Sequence, residues 1–269
     1  MAFLTDSHCH ITFEPLASQL PRILHNASAN AVGCMLCVSV SLEGFPQVLE
    51  VAHTHGQVYA SVGMHPGETG GEEPTTEKLL ALAADPRVVA IGETGLDYYR
   101  SSGGETQQQE RFRRHIRAAR ACGKPLIIHT REARADTLRI LREEQAGQVG
   151  GVMHCFTEDW DTASAALDLG FYISFSGILT FRTAESLRAV AARVPQERLL
   201  IETDSPYLAP VPLRGKTNEP AHVRHVAERL AALRGLGLAE TARITTENFF
   251  RLFTAARMPD DASLPRIAS

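Results

Sequence analysis

Eight short apolar runs, separated by longer amphipathic stretches along the whole chain, predict an α/β protein whose parallel strands close into a TIM (β/α)8 barrel. Three observations carry that expectation. The alternation is unbroken, with no low-complexity linker and no composition break, so residues 1–269 read as one domain with a loosely held tail from Pro259 onward. Eight strand-helix units fit the roughly 250 residues such a barrel takes. Ionisable side chains also recur at one equivalent point, the end of run after run. A doubly wound open sheet is the alternative arrangement of the same units.

Taken in order, the candidate strands are 3–8, 31–40, 58–63, 88–92, 126–129, 151–154, 171–175 and 199–202. Each is bounded by polar residues or by glycine and proline. Between them, 107–122 repeats Phe112, Ile116 and Ala119 at helical spacing, and 133–144 places Leu138 and Leu141 among flanking charges. Cys34 and Cys37 lie three apart within a strand and so face opposite ways. They read as core cysteines rather than a metal knuckle.

At 44% apolar and 22% charged, the chain has the composition of an ordinary globular protein. Its formal net charge of -4 argues against a broad basic coat for nucleic acid, while leaving room for a local phosphate pocket. No apolar stretch approaches the roughly 18 residues of a membrane span, and the first residues lack a signal-peptide pattern. Five cysteines, an odd and sparse set, fit reduced thiols. A cytoplasmic location follows as the expectation, and the oligomeric state is left open, a monomer being allowed.

In a barrel the C-terminal strand ends build the active site. Here they carry His8 and His10, then His65, Glu93, His129, His154 and finally Asp204. Polar groups at the end of an apolar run are costly to bury unless paired or metal-bound. His8 and His10, at i and i+2, share a strand face and make half a metal site. Two divalent ions sharing a carboxylate would use His8, His10, Glu93 and Asp204 for the first and Glu93, His129 and His154 for the second. A water on such a centre becomes a nucleophile near neutral pH, and Asp204 would take its proton. Glycines 92 and 95 would permit close approach of backbone and ligand at Glu93. Glu202, sharing strand parity with Asp204, and Asp6, sharing it with His8 and His10, would orient the ligands. His65 would touch the substrate phosphate. Arg214, Lys216 and Asn218 would supply further phosphate donors, and Tyr98, Tyr99, Phe156 and Tyr207 could stack on bases. Gly215-Lys216-Thr217 is not a P-loop, because Pro210 stands where its leading glycine belongs.

The motifs Asp-Ser-His-Cys-His (6–10), Gly-Met-His-Pro (63–66), Gly-Glu-Thr-Gly-Leu-Asp-Tyr-Tyr (92–99), His-Thr-Arg-Glu-Ala (129–133), His-Cys-Phe-Thr (154–157) and Glu-Thr-Asp-Ser-Pro-Tyr-Leu (202–208) resemble the TatD family of metal-dependent deoxyribonucleases. Residues 209–220 resemble the phosphate-side loop of that family's bacterial YcfH-like branch. The resemblance runs to about Phe253. It implies a TIM barrel, two divalent ions (Mg, Mn or Zn) and phosphodiester hydrolysis at DNA 3′ ends, single-stranded for preference. One departure is Ile11-Thr12, where the family often has Leu-Asp. Two rivals are an amidohydrolase-type amide or ester hydrolase and a metal-dependent nucleic-acid binder without turnover. Glu93, standing where many amidohydrolases carry a carboxylated lysine, speaks against the first.

Overall fold

A computed structural model describes residues 2–99, 103–258 and 267. The tail expected from Pro259 lies outside the described residues, Ile267 excepted. Eight strands, β1 (Leu4–Cys9), β2 (Val32–Cys37), β3 (Val58–Val62), β4 (Val88–Asp97), β5 (Leu126–Arg131), β6 (Gly151–Met153), β7 (Tyr172–Phe175) and β8 (Leu199–Ile201), pair in parallel and in chain order. A doubly wound sheet would reverse that order at a switch point, and none occurs. The ring closes just past β8. Asp204 N–H donates to His8 O at 2.9 Å, and His10 N–H donates to Ser205 O at 2.8 Å. The fold is a TIM barrel.

Helices α1 (Leu20–Ala29), α2 (Phe45–Thr54), α3 (Thr76–Ala83), α4 (Glu105–Cys122), α5 (Arg134–Glu143), α6 (Trp160–Asp168), α7 (Glu185–Arg193), α8 (Val223–Arg234) and α9 (Leu238–Leu252) make the outer shell. Cys34 and Cys37 do face opposite ways. Cys37 packs in the layer between strands and helices, whereas Cys34 joins a cluster drawn from Phe3, seven strands and α9. A set shared by so many strands and one helix is the filling of the barrel. Ile11, the departure after His10, is wholly buried in the outer layer.

Two boundaries differ from expectation in ways that shape the site. β4 runs five residues past Gly92, so Glu93 lies within the strand rather than after it. The glycines that read as punctuation instead admit β5. A Cβ on Gly95, at φ +132°, would sit 2.0 Å from His129 O, and one on Gly92, at φ +146°, would sit 2.7 Å from Ile127 O. The close approach they permit is to a neighbouring strand, not to a ligand. β8, by contrast, stops at Ile201.

Candidate metal centre

Strand β4 carries Glu93 into the mouth of the barrel, where its carboxylate is nearly buried. Its two oxygens face different partners. Oε1 lies 2.8 Å from His154 Nε2, 3.1 Å from His129 Nδ1 and 3.6 Å from His65 Nε2. Oε2 lies 3.4 Å from His8 Nε2 and 3.9 Å from His10 Nε2. Asp204 Oδ1 completes that second side, 3.4 Å from His10 Nε2 and 3.7 Å from His8 Nε2. The barrel thus gathers all six residues expected to hold metal around one shared carboxylate.

Local structure explains each placement. His8 and His10 keep strand alternation across the end of β1, bringing their Nε2 atoms within 3.2 Å. His10 Nδ1 lies 3.0 Å from Val38 O, which accepts its proton and turns Nε2 toward Asp204 and His8. His129 sits between two carboxylates, with Nδ1 toward Glu93 and Nε2 3.3 Å from Asp97 Oδ2. Glu202 and Asp204 do not share strand parity as expected, because β8 has ended and Asp204 adopts φ +55°. That turn sends Glu202 to His154 Nδ1, at 3.2 Å, and Asp204 to His10.

Asp6 acts differently from expectation. Its buried carboxylate accepts Thr203 N–H at 2.9 Å, Thr203 Oγ1–H at 2.6 Å and His8 N–H at 3.3 Å. It holds the backbone around the ligands, and no imidazole nitrogen is among its hydrogen-bond partners. Burial pushes its carboxyl up to about 8 against those hydrogen bonds.

Burial also opposes ionisation of Glu93. The imidazoles of His154, His65 and His129 packed around it outweigh that cost and hold the carboxyl well below the usual range. Asp204 is held low in the same way, burial being overcome by the His10 hydrogen bond and the charges of His8 and His154. The donor set fits divalent cations. His8 Nδ1 is buried without a hydrogen bond, His154 Nε2 and His129 Nε2 lie against the carboxylates of Glu93 and Asp97, and imidazoles with carboxylates are the ligands such ions take. Among the described residues four groups, His8-His10-Asp204, Glu93-His129-His154, His8-His154-Glu202 and His65-Asp97-His129, each bring their donor atoms within 4.8 Å of one another.

Over this centre opens a cavity of about 920 Å³, lined by His65 among others. Burial pushes His65 down to about 4, so its imidazole is neutral. Its Nδ1 accepts Gly67 N–H at 2.9 Å, which assigns the proton to Nε2, toward Glu93. His65 is therefore a neutral imidazole whose Nε2–H faces the Glu93 carboxylate.

Arg214, Lys216 and Asn218 do not line the cavity. Asn218 is fully buried, donating to Thr203 O at 2.9 Å and Tyr207 O at 2.6 Å and accepting Glu219 N–H at 3.0 Å. Its amide holds the chain past β8 and has no donor left for a phosphate. Arg214 stacks over Phe181 at 3.8 Å and donates to Ala209 O, while Lys216 is exposed. Of the four aromatics, Phe156 is buried against Phe175, and the Tyr98 hydroxyl donates to Asp136 Oδ2. Tyr99 and Tyr207 remain exposed. Asp97 and Arg131, not singled out from the sequence, also line the cavity. Both would have emerged by carrying strand parity onward, from Glu93 through Gly95 to Asp97 and from His129 to Arg131.

A family model for TatD-related DNases matches residues 5–254. An uncharacterised metal-dependent hydrolase of Escherichia coli, YcfH, is 52% identical over 255 residues, covering 93% of this chain and 96% of that protein. The 3′-5′ ssDNA/RNA exonuclease TatD of Edwardsiella piscicida is 33% identical over 260 residues, covering 94% and 100%. Among solved structures, the TatD homologue YjjV of Escherichia coli superposes with a TM-score of 0.88 at 30% identity, covering 93% of this chain and 98% of that one. An organophosphorus hydrolase variant from Deinococcus radiodurans, at 16% identity and a TM-score of 0.63, shares the barrel alone. Among the described residues no helix is long and apolar enough to cross a membrane. With its barrel and its strand-end donor set, the chain belongs to the TatD-related family of metal-dependent hydrolases.

Proposed function

We propose that the chain is a cytoplasmic, two-metal phosphodiesterase that removes nucleotides from the 3′ ends of single-stranded DNA. The observation that carries the reading is Glu93, whose two oxygens face separate sets of imidazoles within 2.8 to 3.9 Å. Such an arrangement suits a carboxylate shared by two ions, which when bound would lower the pKa of a water and neutralise charge building on the phosphoryl oxygens. The chain's own groups supply the rest. Asp204, kept ionised by His10 and His8, takes the proton of the attacking water. His65, neutral with its proton on Nε2, donates to a phosphoryl oxygen. The walls of the cavity hold the strand end in place, which converts the attack into an oriented intramolecular step.

The named exonuclease at 33% identity supports the substrate class. None of the three lysines, Lys78, Lys124 and Lys216, lines the cavity, which disfavours an amidohydrolase centre bridged by a carboxylated lysine. Incubation of the purified protein and Mg²⁺ with single-stranded oligonucleotides labelled at either end tests the reading. Stepwise shortening of the 5′-labelled strand and early release of the 3′ label are expected. Retention of both labels, with binding, would point to a binder without turnover.

A further inference from the structure

Two arginines line the cavity among the described residues, and their situations are opposite. Arg111 is buried and committed. Its Nη1 donates to His65 O at 2.9 Å, Glu68 O at 3.1 Å and Pro66 O at 3.3 Å, while Nε and Nη2 engage Glu73. It rivets the loop after β3 to α4. Arg131, the last residue of β5, makes no ion pair and no hydrogen bond through its guanidinium among the described residues. It is exposed, and its guanidinium carbon lies 3.8 Å from the centroid of the Tyr99 ring. Stacking on an aromatic face holds the plane while leaving the in-plane N–H donors open, the geometry that reads phosphate oxygens in pairs.

Position adds the second argument. Arg131 and His129 lie on the same face of β5, two residues or about 6.6 Å apart. An anion at Arg131 would stand one backbone repeat from an anion over the metal centre. Tyr207, 55% exposed, also lines the cavity and offers a ring for a base.

We infer that Arg131, pre-oriented by Tyr99, is the subsite for the backbone phosphate adjacent to the scissile one. The inference rests on the nucleic-acid reading above. It makes Arg131 a residue that selects polymers over isolated phosphodiesters, since a single diester has no neighbouring phosphate to offer.

The test compares Arg131→Ala and Arg131→Lys with the native chain, first by fluorescence anisotropy on a slowly cut phosphorothioate oligonucleotide across a salt series. Arg131→Ala should weaken binding about tenfold and lower the slope of log affinity against log salt by about 0.7, the value for one phosphate contact on a single strand. Arg131→Lys should keep the slope and recover only part of the affinity, because charge returns without the stacked fork. Turnover of bis(p-nitrophenyl) phosphate, a lone diester, should change less than about twofold in both variants, while KM for the oligonucleotide rises about tenfold at constant kcat. An unchanged slope and affinity in Arg131→Ala, or an equal loss on both substrates, overturns the subsite. A native chain that binds the strand through Arg131 yet never cuts it would support the subsite and overturn the nuclease reading.

Discussion

Glu202 holds the outward nitrogen of His154. Its Oε1 lies 3.2 Å from His154 Nδ1 and also accepts Cys155 N–H at 2.7 Å, whereas Oε2 is buried with no hydrogen-bond partner. A carboxylate in this place assigns the imidazole proton to Nδ1, turns Nε2 toward Glu93 and would raise its basicity toward a bound metal. Glu202→Gln should therefore reduce metal affinity about 10- to 100-fold with little change in far-ultraviolet circular dichroism. Calorimetric titration giving native affinity would remove this role.

On the two-metal proposal, Glu93→Ala should lower the metal content of the chain. The two carboxylate oxygens face the two sides of the cluster, so its loss weakens both sets of donors together. Elemental analysis after gel filtration reads the stoichiometry, and an undiminished content would sink the shared carboxylate.

Asp204→Asn keeps the size of the side chain but takes away its charge and its capacity to accept a proton. A fall in kcat of about 10²- to 10⁴-fold is expected, with an unchanged melting temperature. Near-native turnover would contradict both parts assigned to Asp204.

His115 sets a pH limit on stability from outside the metal cluster. Wholly buried on α4, it accepts Met64 N–H on Nε2 at 3.0 Å and donates from Nδ1 to Arg111 O at 2.8 Å. Burial pushes it down from 6.5 to about 4. Its folded value lies below its unfolded one, so its contribution is complete above about pH 6.5 and is lost as pH falls toward 4, where the unfolded chain takes the proton first. The full effect is on the order of 3 kcal/mol. Urea unfolding in EDTA at pH 7 and pH 4.5 should show a smaller pH dependence in His115→Gln than in the native chain, and parallel curves would refute the linkage.

Asn218→Ala should destabilise the fold by about 1 to 3 kcal/mol, because it strands the buried carbonyl of Thr203 and takes a donor from the part-buried carbonyl of Tyr207, while Glu219 N–H keeps His222 Nδ1 at 3.3 Å. At a temperature where the variant is folded, its salt slope for oligonucleotide binding should match that of the native chain. A lower slope would restore Asn218 to the phosphate contacts.

Much of the metal site was legible in the chain because its evidence is local. His8 and His10 declare themselves by spacing, and Glu93, His129 and His154 by standing where an apolar run ends. Ionisable groups in such places are too costly to bury alone, so their repetition is informative. The availability of phosphate donors was not legible, for the complementary reason. Arg214, Lys216 and Asn218 have the right chemistry within one short segment, but whether a donor is free depends on what folds against it. Asn218 is consumed by carbonyls 15 and 11 residues away, whereas Arg131 is left open over Tyr99.

The sequence by itself determined the barrel and the strand ends that carry imidazole and carboxylate, since periodicity and punctuation act over a few residues. Only the tertiary structure decided which Glu93 oxygen meets which histidine, why β4 continues through Gly95, and how a left-handed turn separates Glu202 from Asp204. Those relationships arise where β1 closes against the chain after β8 and where β4 packs on β5. They are set by contacts between residues remote in the chain, which no local pattern encodes.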